Sequence, residues 1–241
     1  ATVRVQTKAG TPDNHNARLE RQRTMDYTLG GEHLFGTLSM DWSLNYAQAS
    51  EYRPNERYID YQLKKQKFDL DLSNERWPLA LPKEGSTMTL NDDFSLKEVT
   101  EQQEDIMERD LKAKIDFSLP LSSGTYASHL KFGAKVVRKT KEKVIDFYEY
   151  TPLDKDAFNA ASLAAAVDQT RSNFMPDNDY RVGSFVSKEY VGQLDLNNPD
   201  LFEKEQVAEE LATNYKAAEV VTAGYLRLDQ QLGNNLEATA G

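Results

Sequence analysis

Between Thr37 and Ala47 every second residue is large and apolar. Leu38, Met40, Trp42, Leu44 and Tyr46 hold one parity, and Thr37, Ser39, Asp41, Ser43 and Asn45 hold the other. Successive strand side chains point to opposite faces, so this stretch is a strand with one apolar and one polar face. The preceding stretch repeats the pattern, with Met25, Tyr27, Leu29, His33 and Phe35 set against Asp26, Thr28, Gly30 and Glu32. Phe35-Gly36 leaves room between them only for a tight turn. A second pair has Leu111, Ala113, Ile115, Phe117 and Leu119, then Tyr126, Leu130, Phe132, Ala134 and Val136. Lys112, Lys114, Asp116, His129, Lys131 and Lys135 take its other face, and the connection around Ser122-Ser123-Gly124 is short. A third pair runs from Ala218 to Leu228 and from Leu236 to the end, joined by Gly233-Asn234-Asn235. Its first member is apolar on both parities, so its faces stay unassigned. An opening strand, Val3 to Ala9, makes a set of about seven.

The connections are unequal. Short turns follow strands two, four and six, whereas roughly 14, 58 and 78 residues follow strands one, three and five. Loops beyond about 15 residues are uncommon in compact domains and are usually functional. Every short turn then lies at one end of the sheet and every long excursion at the other, which is the pattern of a bacterial outer-membrane barrel. Alternation alone fits a soluble sandwich equally well. The asymmetry favours the barrel.

Composition narrows the chemistry. There is no cysteine, which excludes disulfide scaffolds and thiolate chemistry, and His15, His33 and His129 are in no ligand spacing. No stretch reaches the roughly 18 apolar residues of a transmembrane helix, and the N-terminus lacks the order of a signal peptide, as expected of a mature or excised piece. The net charge of −10 disfavours nucleic acid. Its location is more informative: residues 51–105 hold eight basic and thirteen acidic residues, residues 139–217 hold nine and fifteen, and the remainder is nearly neutral.

Several runs are similar to the barrel of TonB-dependent outer-membrane receptors. They are Leu29-Gly30-Gly31-Glu32-His33, the stretch from Met40-Asp41-Trp42-Ser43 through Glu51, Arg53-Pro54-Asn55-Glu56, Asn214-Tyr215-Lys216-Ala217-Ala218-Glu219, Thr222-Ala223-Gly224-Tyr225, and the final Leu236-Glu237-Ala238-Thr239-Ala240-Gly241. The fold expected is mainly β, with antiparallel up-and-down strands from part of a transmembrane β-barrel and two long loops containing short helices. Residues 1–241 form a partial β-barrel fragment in this reading, with extracellular loops at approximately 51–105 and 139–217. The family closes about 22 strands around a plug. Neither that many strands nor a plug or TonB-contacting box is found, so a central barrel fragment is expected. The resemblance implies capture and active uptake of a scarce solute (an oligosaccharide, a peptide or a siderophore) at the outer membrane of a Gram-negative bacterium. The implied partners are that small solute, membrane lipid, and the TonB complex through the plug domain of the parent receptor. The alternative is a soluble, surface-exposed β-rich binding module without transport activity.

The long segments carry their own signals. Asp154 is placed to cap a helix through Thr170 that buries Phe158, Ala161, Ala165 and Val167. Asn198-Pro199 is placed to start another, with Leu201, Phe202, Val207, Ala208, Leu211, Ala212 and Tyr215 on one face. Phe68, Leu70 and Leu72 alternate as in a hairpin. No Gly-x-Ser-x-Gly elbow, phosphate loop or His-Glu-x-x-His occurs, and an enzyme is not expected. Asp92-Asp93 and Asp177-Asn178-Asp179 lack the spacing of a calcium loop, so no metal and no cofactor is expected. The ligand-binding candidates are aromatic: Tyr58, Trp77, Phe94, Tyr148, Tyr150, Tyr180 and Tyr190. Their faces stack on sugars or peptide side chains while the tyrosine hydroxyls hydrogen-bond. Half or more of the loop aromatics are expected to be loop core, because loops this long must bury something.

Overall fold

The computed structural model of the protein describes residues 1–76, 78–122, 126–171 and 182–241. It is mainly β, with 63% of the described residues in strands and 10% helical. The elements are β1 (Val3–Ala9), β2 (Arg21–Phe35), β3 (Leu38–Leu63), β4 (Phe68–Asp71), β5 (Leu79–Pro82), β6 (Ser95–Ser122), β7 (Ser128–Pro152), α1 (Lys155–Ala164), β8 (Ala166–Asp168), β9 (Ser184–Val186), α2 (Lys188–Gln193), β10 (Phe202–Gln206), α3 (Ala208–Leu211), β11 (Tyr215–Gly233) and β12 (Leu236–Ala240). The large sheet runs β1-β3-β6-β7-β11-β12, with β2 also paired to β3 and β10 to β7. The chain divides into two compact units, the first from residues 1–20, 53–104 and 145–212 and the second from 21–52, 105–144 and 213–241.

In the second unit the expected strands are present and the register aligns their parities. Gly36, at φ +65°, turns β2 into β3, and the pairs Phe35↔Leu38, His33↔Met40, Gly31↔Trp42, Leu29↔Leu44 and Tyr27↔Tyr46 follow. Both apolar sets therefore fall on one face, and Glu32↔Asp41, Gly30↔Ser43 and Thr28↔Asn45 fall on the other. The register also assigns the faces of β11. Leu228↔Leu130, Leu226↔Phe132 and Gly224↔Ala134 share one face, while Asp229↔His129, Arg227↔Lys131 and Tyr225↔Gly133 share the opposite one. Phe117 of β6 stacks on Phe132 at 4.9 Å, which joins the β6 and β7 apolar sets. This face is uncovered: Tyr27, Leu29 and Leu226 are each 63% exposed.

Two glycine–aromatic joints lock neighbouring strands. The indole of Trp42 lies over Gly31, where a Cβ would come within 2.9 Å of Nε1. Trp42 Nε1 donates to His33 Nε2 at 3.0 Å. On the polar face the Tyr225 ring crosses Gly133 so that its hydroxyl donates to Asp116 at 2.9 Å. Such aromatic rescue restores the packing that a strand glycine lacks.

The first unit is organised differently. β1 pairs with the C-terminal part of β3, from Val3↔Leu63 to Ala9↔Arg57, and not with β2. Val5, Ala9, Ile59 and Tyr61 from this pair meet Phe94, Val99, Tyr150, Val186, Val191, Leu196 and Phe202 in a single core. β3 runs well beyond Ala47 because its second half has β1 as a partner.

Both helix expectations are corrected here. Asp154 does cap α1, its carboxylate accepting from Ala157 N at 2.9 Å, but the helix stops at Ala164. Ala166–Asp168 instead pair with Ser184–Val186. Ala161 and Val167 are exposed, and the fully buried residue of α1 is Ser162. The helix expected from Asn198 does not form. Asn198 Oδ1 accepts from Asp200 N at 2.9 Å in a turn, and Phe202–Gln206 become β10 by pairing with Pro152–Tyr148. Only Ala208–Leu211 of that stretch is helical. A ladder of backbone bonds to β7, together with burial of Phe202, outweighs the helical spacing. The Phe68 run does form a hairpin, β4 with β5. The Ser123-Gly124 turn and the Asp177–Asp179 cluster lie outside the described residues.

A matched pair of substitutions tests the joints. A Cβ on Gly133 would fall 2.6 Å from Asp116 Oδ1 and 2.7 Å from the Ile115 carbonyl, whereas one on Gly224 meets nothing nearer than 3.6 Å. Gly133→Ala is expected to destabilise the protein by about 1–3 kcal/mol, and Gly224→Ala to stay close to wild type. Urea unfolding of the two variants side by side measures the difference; equal midpoints would remove the joint from the account.

Candidate functional site

Five of the seven aromatic candidates belong to the first unit and are described; Trp77 and Tyr180 lie outside the described residues. β10 lies against β7 with Phe202↔Pro152, Lys204↔Tyr150 and Gln206↔Tyr148. From Phe202 an aromatic ladder spreads inward. Tyr150 meets Phe202 edge-on at 6.4 Å, Phe158 meets Phe202 edge-on at 5.7 Å, and Phe158 meets Tyr190 at 6.4 Å. The caps of two helices hold the inner rings. Asp154 fixes the first turn of α1, which carries Phe158, and Ser187 Oγ accepts from Tyr190 N at 3.2 Å at the start of α2.

Tyr150 and Tyr190 thus lie on one ladder and Tyr148 packs against the same core, but the three are not equally exposed. Tyr150 is 1% exposed and Phe94 3%, so both rings are core and face no solvent. Tyr190 and Tyr148 are half-buried. The Tyr148 ring already holds a cation: Lys204 Nζ sits 4.0 Å from its centroid and donates to Asn197 Oδ1 at 3.0 Å. A cation over a tyrosine face is attracted by the ring quadrupole. Nothing local in the sequence marks Lys204, since its position depends on β10 being a strand.

Tyr58 stands apart, on the opposite face of the β1–β3 pair. Lys8 lies over its ring at 5.1 Å, and its hydroxyl donates to Glu56 at 2.8 Å. Glu56 is only 1% exposed; Arg18 pairs with it at 2.7 Å, and Gln102 Nε2 donates to it at 2.7 Å. Arg53 pairs with Glu20 at 3.3 Å and with Glu104 at 3.0 Å. Arg57 pairs with Glu101 at 2.6 Å and donates to the Gly192 and Leu194 carbonyls at 2.8 Å each. In the sequence these acids are indistinguishable from loop charge; the clustering of Arg53, Glu56 and Arg57 is the available signal. Each of these carboxylates has a cationic or hydrogen-bonding partner, so the network clamps segments together and does not hold a free base.

The tyrosine acidities follow from this burial. Desolvation first, then the hydrogen bond to Glu56, pushes Tyr58 up to about 12. Burial pushes Tyr61 up to about 12, and burial followed by the Glu101 charge does the same for Tyr150. These hydroxyls stay protonated throughout the neutral range. Among the described residues no group of three or more His, Asp or Glu is arranged to hold a metal ion, and Asp93 N is turned back onto Asn91 Oδ1 at 3.1 Å. No protein family, curated protein or solved structure matches the chain.

The raised tyrosines predict an alkaline limit. In the unfolded chain they ionise at their ordinary value of 10.0, and in the folded protein only at about 12. The unfolded state therefore loses its protons first. Their contribution to stability is complete below pH 10 and is lost as the pH climbs from about 10 to about 12. Tyrosinate absorbance should show a late-titrating fraction that shrinks in Tyr58→Phe and merges with the rest in urea. A single transition at the ordinary value in the folded protein would contradict the burial described.

Proposed function

We propose that this chain supplies barrel wall and solute-contacting outer segments to a TonB-dependent outer-membrane receptor of a Gram-negative bacterium. The observation that carries the reading is the uncovered apolar face of the second unit, where Leu29, Leu44, Leu226 and Val220 stand exposed on aligned parities. A soluble antiparallel sheet covers such a face with a second layer, and a barrel strand turns it to lipid. Contiguous apolar surface of this kind marks a membrane or partner surface. Uptake driven through TonB, with a plug as the coupling element, rests on the resemblance of the runs from Leu29 to Glu56 and from Asn214 to Tyr225. For the solute, the excess acid in residues 51–105 and 139–217 opposes anionic chelates and favours neutral or cationic ligands. Oligosaccharides and peptides are thus favoured over ferric siderophores.

The membrane arm is tested on the full protein folded into lipid bilayers. Trp42 fluorescence should be quenched by brominated lipid. Trp42→Lys should cost about 2–4 kcal/mol of folding stability near the midplane while Ser43→Lys, on the polar parity, costs little. Unquenched Trp42 and equal sensitivity of both positions would instead describe the soluble module. The solute arm uses Tyr148→Ala and Tyr150→Ala. The first should weaken binding of an oligosaccharide or cationic peptide with a smaller loss of stability than the second, which should destabilise by about 3–5 kcal/mol as a core truncation. A ferric siderophore bound at high affinity with strong weakening by salt would reverse the ligand preference.

A further inference from the structure

We propose that Arg109 and Arg138 form a binding site for the phosphate of a membrane-lipid headgroup at the border of the apolar face. The proposal rests on the barrel reading. Three strands carry the same change of character along that face. On β6 the parity of Leu111 and Ala113 continues into Arg109, on β7 that of Ala134 and Val136 continues into Arg138, and on β11 that of Val220 and Ala218 continues into Lys216. The register Val220↔Arg138 and Lys216↔Glu142 keeps the β7 and β11 members on one side. These positions meet at a cavity of about 330 Å³, which Tyr46, Leu111 and Thr140 also line. Tyr46 is the last aromatic of the β3 apolar set before Gln48 and Ser50.

The ion pairs around the cavity leave a surplus of a particular kind. Its two carboxylates are occupied by lysines: Glu142 by Lys216 at 3.3 Å, and Asp110 by Lys112 at 3.4 Å and Lys139 at 3.8 Å. Lys141, also at the cavity, is held by Glu108 at 3.3 Å. No carboxylate among the described residues pairs with Arg109 or Arg138, and both side chains are exposed. The surplus is thus two guanidinium groups, whose planar forks match phosphate oxygens bidentately. A lipid phosphate satisfies the rest of the surface as well, because its acyl chains continue onto Leu111 and the apolar band. A tyrosine at the edge of such a band is the residue that sits at headgroup level. A free anion would use the guanidinium groups and leave the apolar border uncovered.

The test uses the full protein in phosphatidylcholine bilayers with spin-labelled phosphatidic acid as the probe, and spin-labelled phosphatidylcholine as its reference. Wild type should retain the phosphatidic acid about tenfold more strongly than the reference. The Arg109→Gln/Arg138→Gln double variant should bring the two close to parity, and Lys141→Gln, whose lysine is already paired, should keep the preference. Equal retention in wild type and the double variant overturns the site. Displacement of the probe by inorganic phosphate at concentrations too low for ionic screening overturns the lipid source. Brominated-lipid quenching of Trp42 is read in the same samples. Quenched Trp42 without phosphate preference defeats the site alone, and unquenched Trp42 defeats the barrel reading and the site with it.

Discussion

The pairing of β2 with β3 is held to one register by the Gly36 turn, and the surface of the second unit depends on that register. Side chains alternate with a period of two, so a slip of one residue would carry Leu29 and Tyr27 to the side of Ser43 and Asn45. The alignment would then be lost, and neither face would be apolar. The Trp42–Gly31 joint guards against such a slip, and the Tyr225–Gly133 joint does the same for β7 and β11. Each inserts a ring into the space where the neighbouring strand has no Cβ, and only one register brings ring and glycine opposite each other.

The first unit uses burial where the second uses exposure. Its core gathers residues from β1, the far part of β3, the segment around Phe94, α2 and β10. Arg57 connects several of these by pairing with Glu101 and holding two carbonyls at the end of α2. Buried ion pairs contribute little net stability, yet removing one partner is costly because it leaves an uncompensated charge. The network is therefore better understood as fixing which segments meet than as a store of stability. The aromatic ladder has the same character: Tyr150 and Phe202 are packing, and beside them the half-buried Tyr148 lies under the exposed Lys204.

Proposed lipid contacts and proposed solute contacts draw on different physics in the two units. Arg109 and Arg138 are exposed guanidinium groups beside an apolar band, where a phosphate gains ion pairing and its acyl chains gain cover. Tyr148 and Tyr58 are rings each lying under a lysine in a segment rich in acid. Guanidinium groups without a carboxylate partner suit the proposed anionic lipid at one place, and the excess acid of residues 51–105 and 139–217 suits the proposed neutral or cationic solute at the other.

By itself the sequence determined the alternating strands of the second unit and the turns at Gly36 and at Asn234-Asn235, because alternation and turn residues are local signals that need no partner. It also determined the cap at Asp154 and the hairpin that begins at Phe68. Only the tertiary structure decided the faces of β11, which its own apolar residues left open and the register with β7 settled. It likewise decided that β1 joins β3 and not β2, that Phe202–Gln206 is a strand despite helical spacing, and that Phe94 and Tyr150 are core. In each of these cases the outcome depends on a backbone ladder or a packing neighbour distant in the chain. A local pattern specifies what a segment can do, and the available partner decides which of those possibilities has the lower free energy.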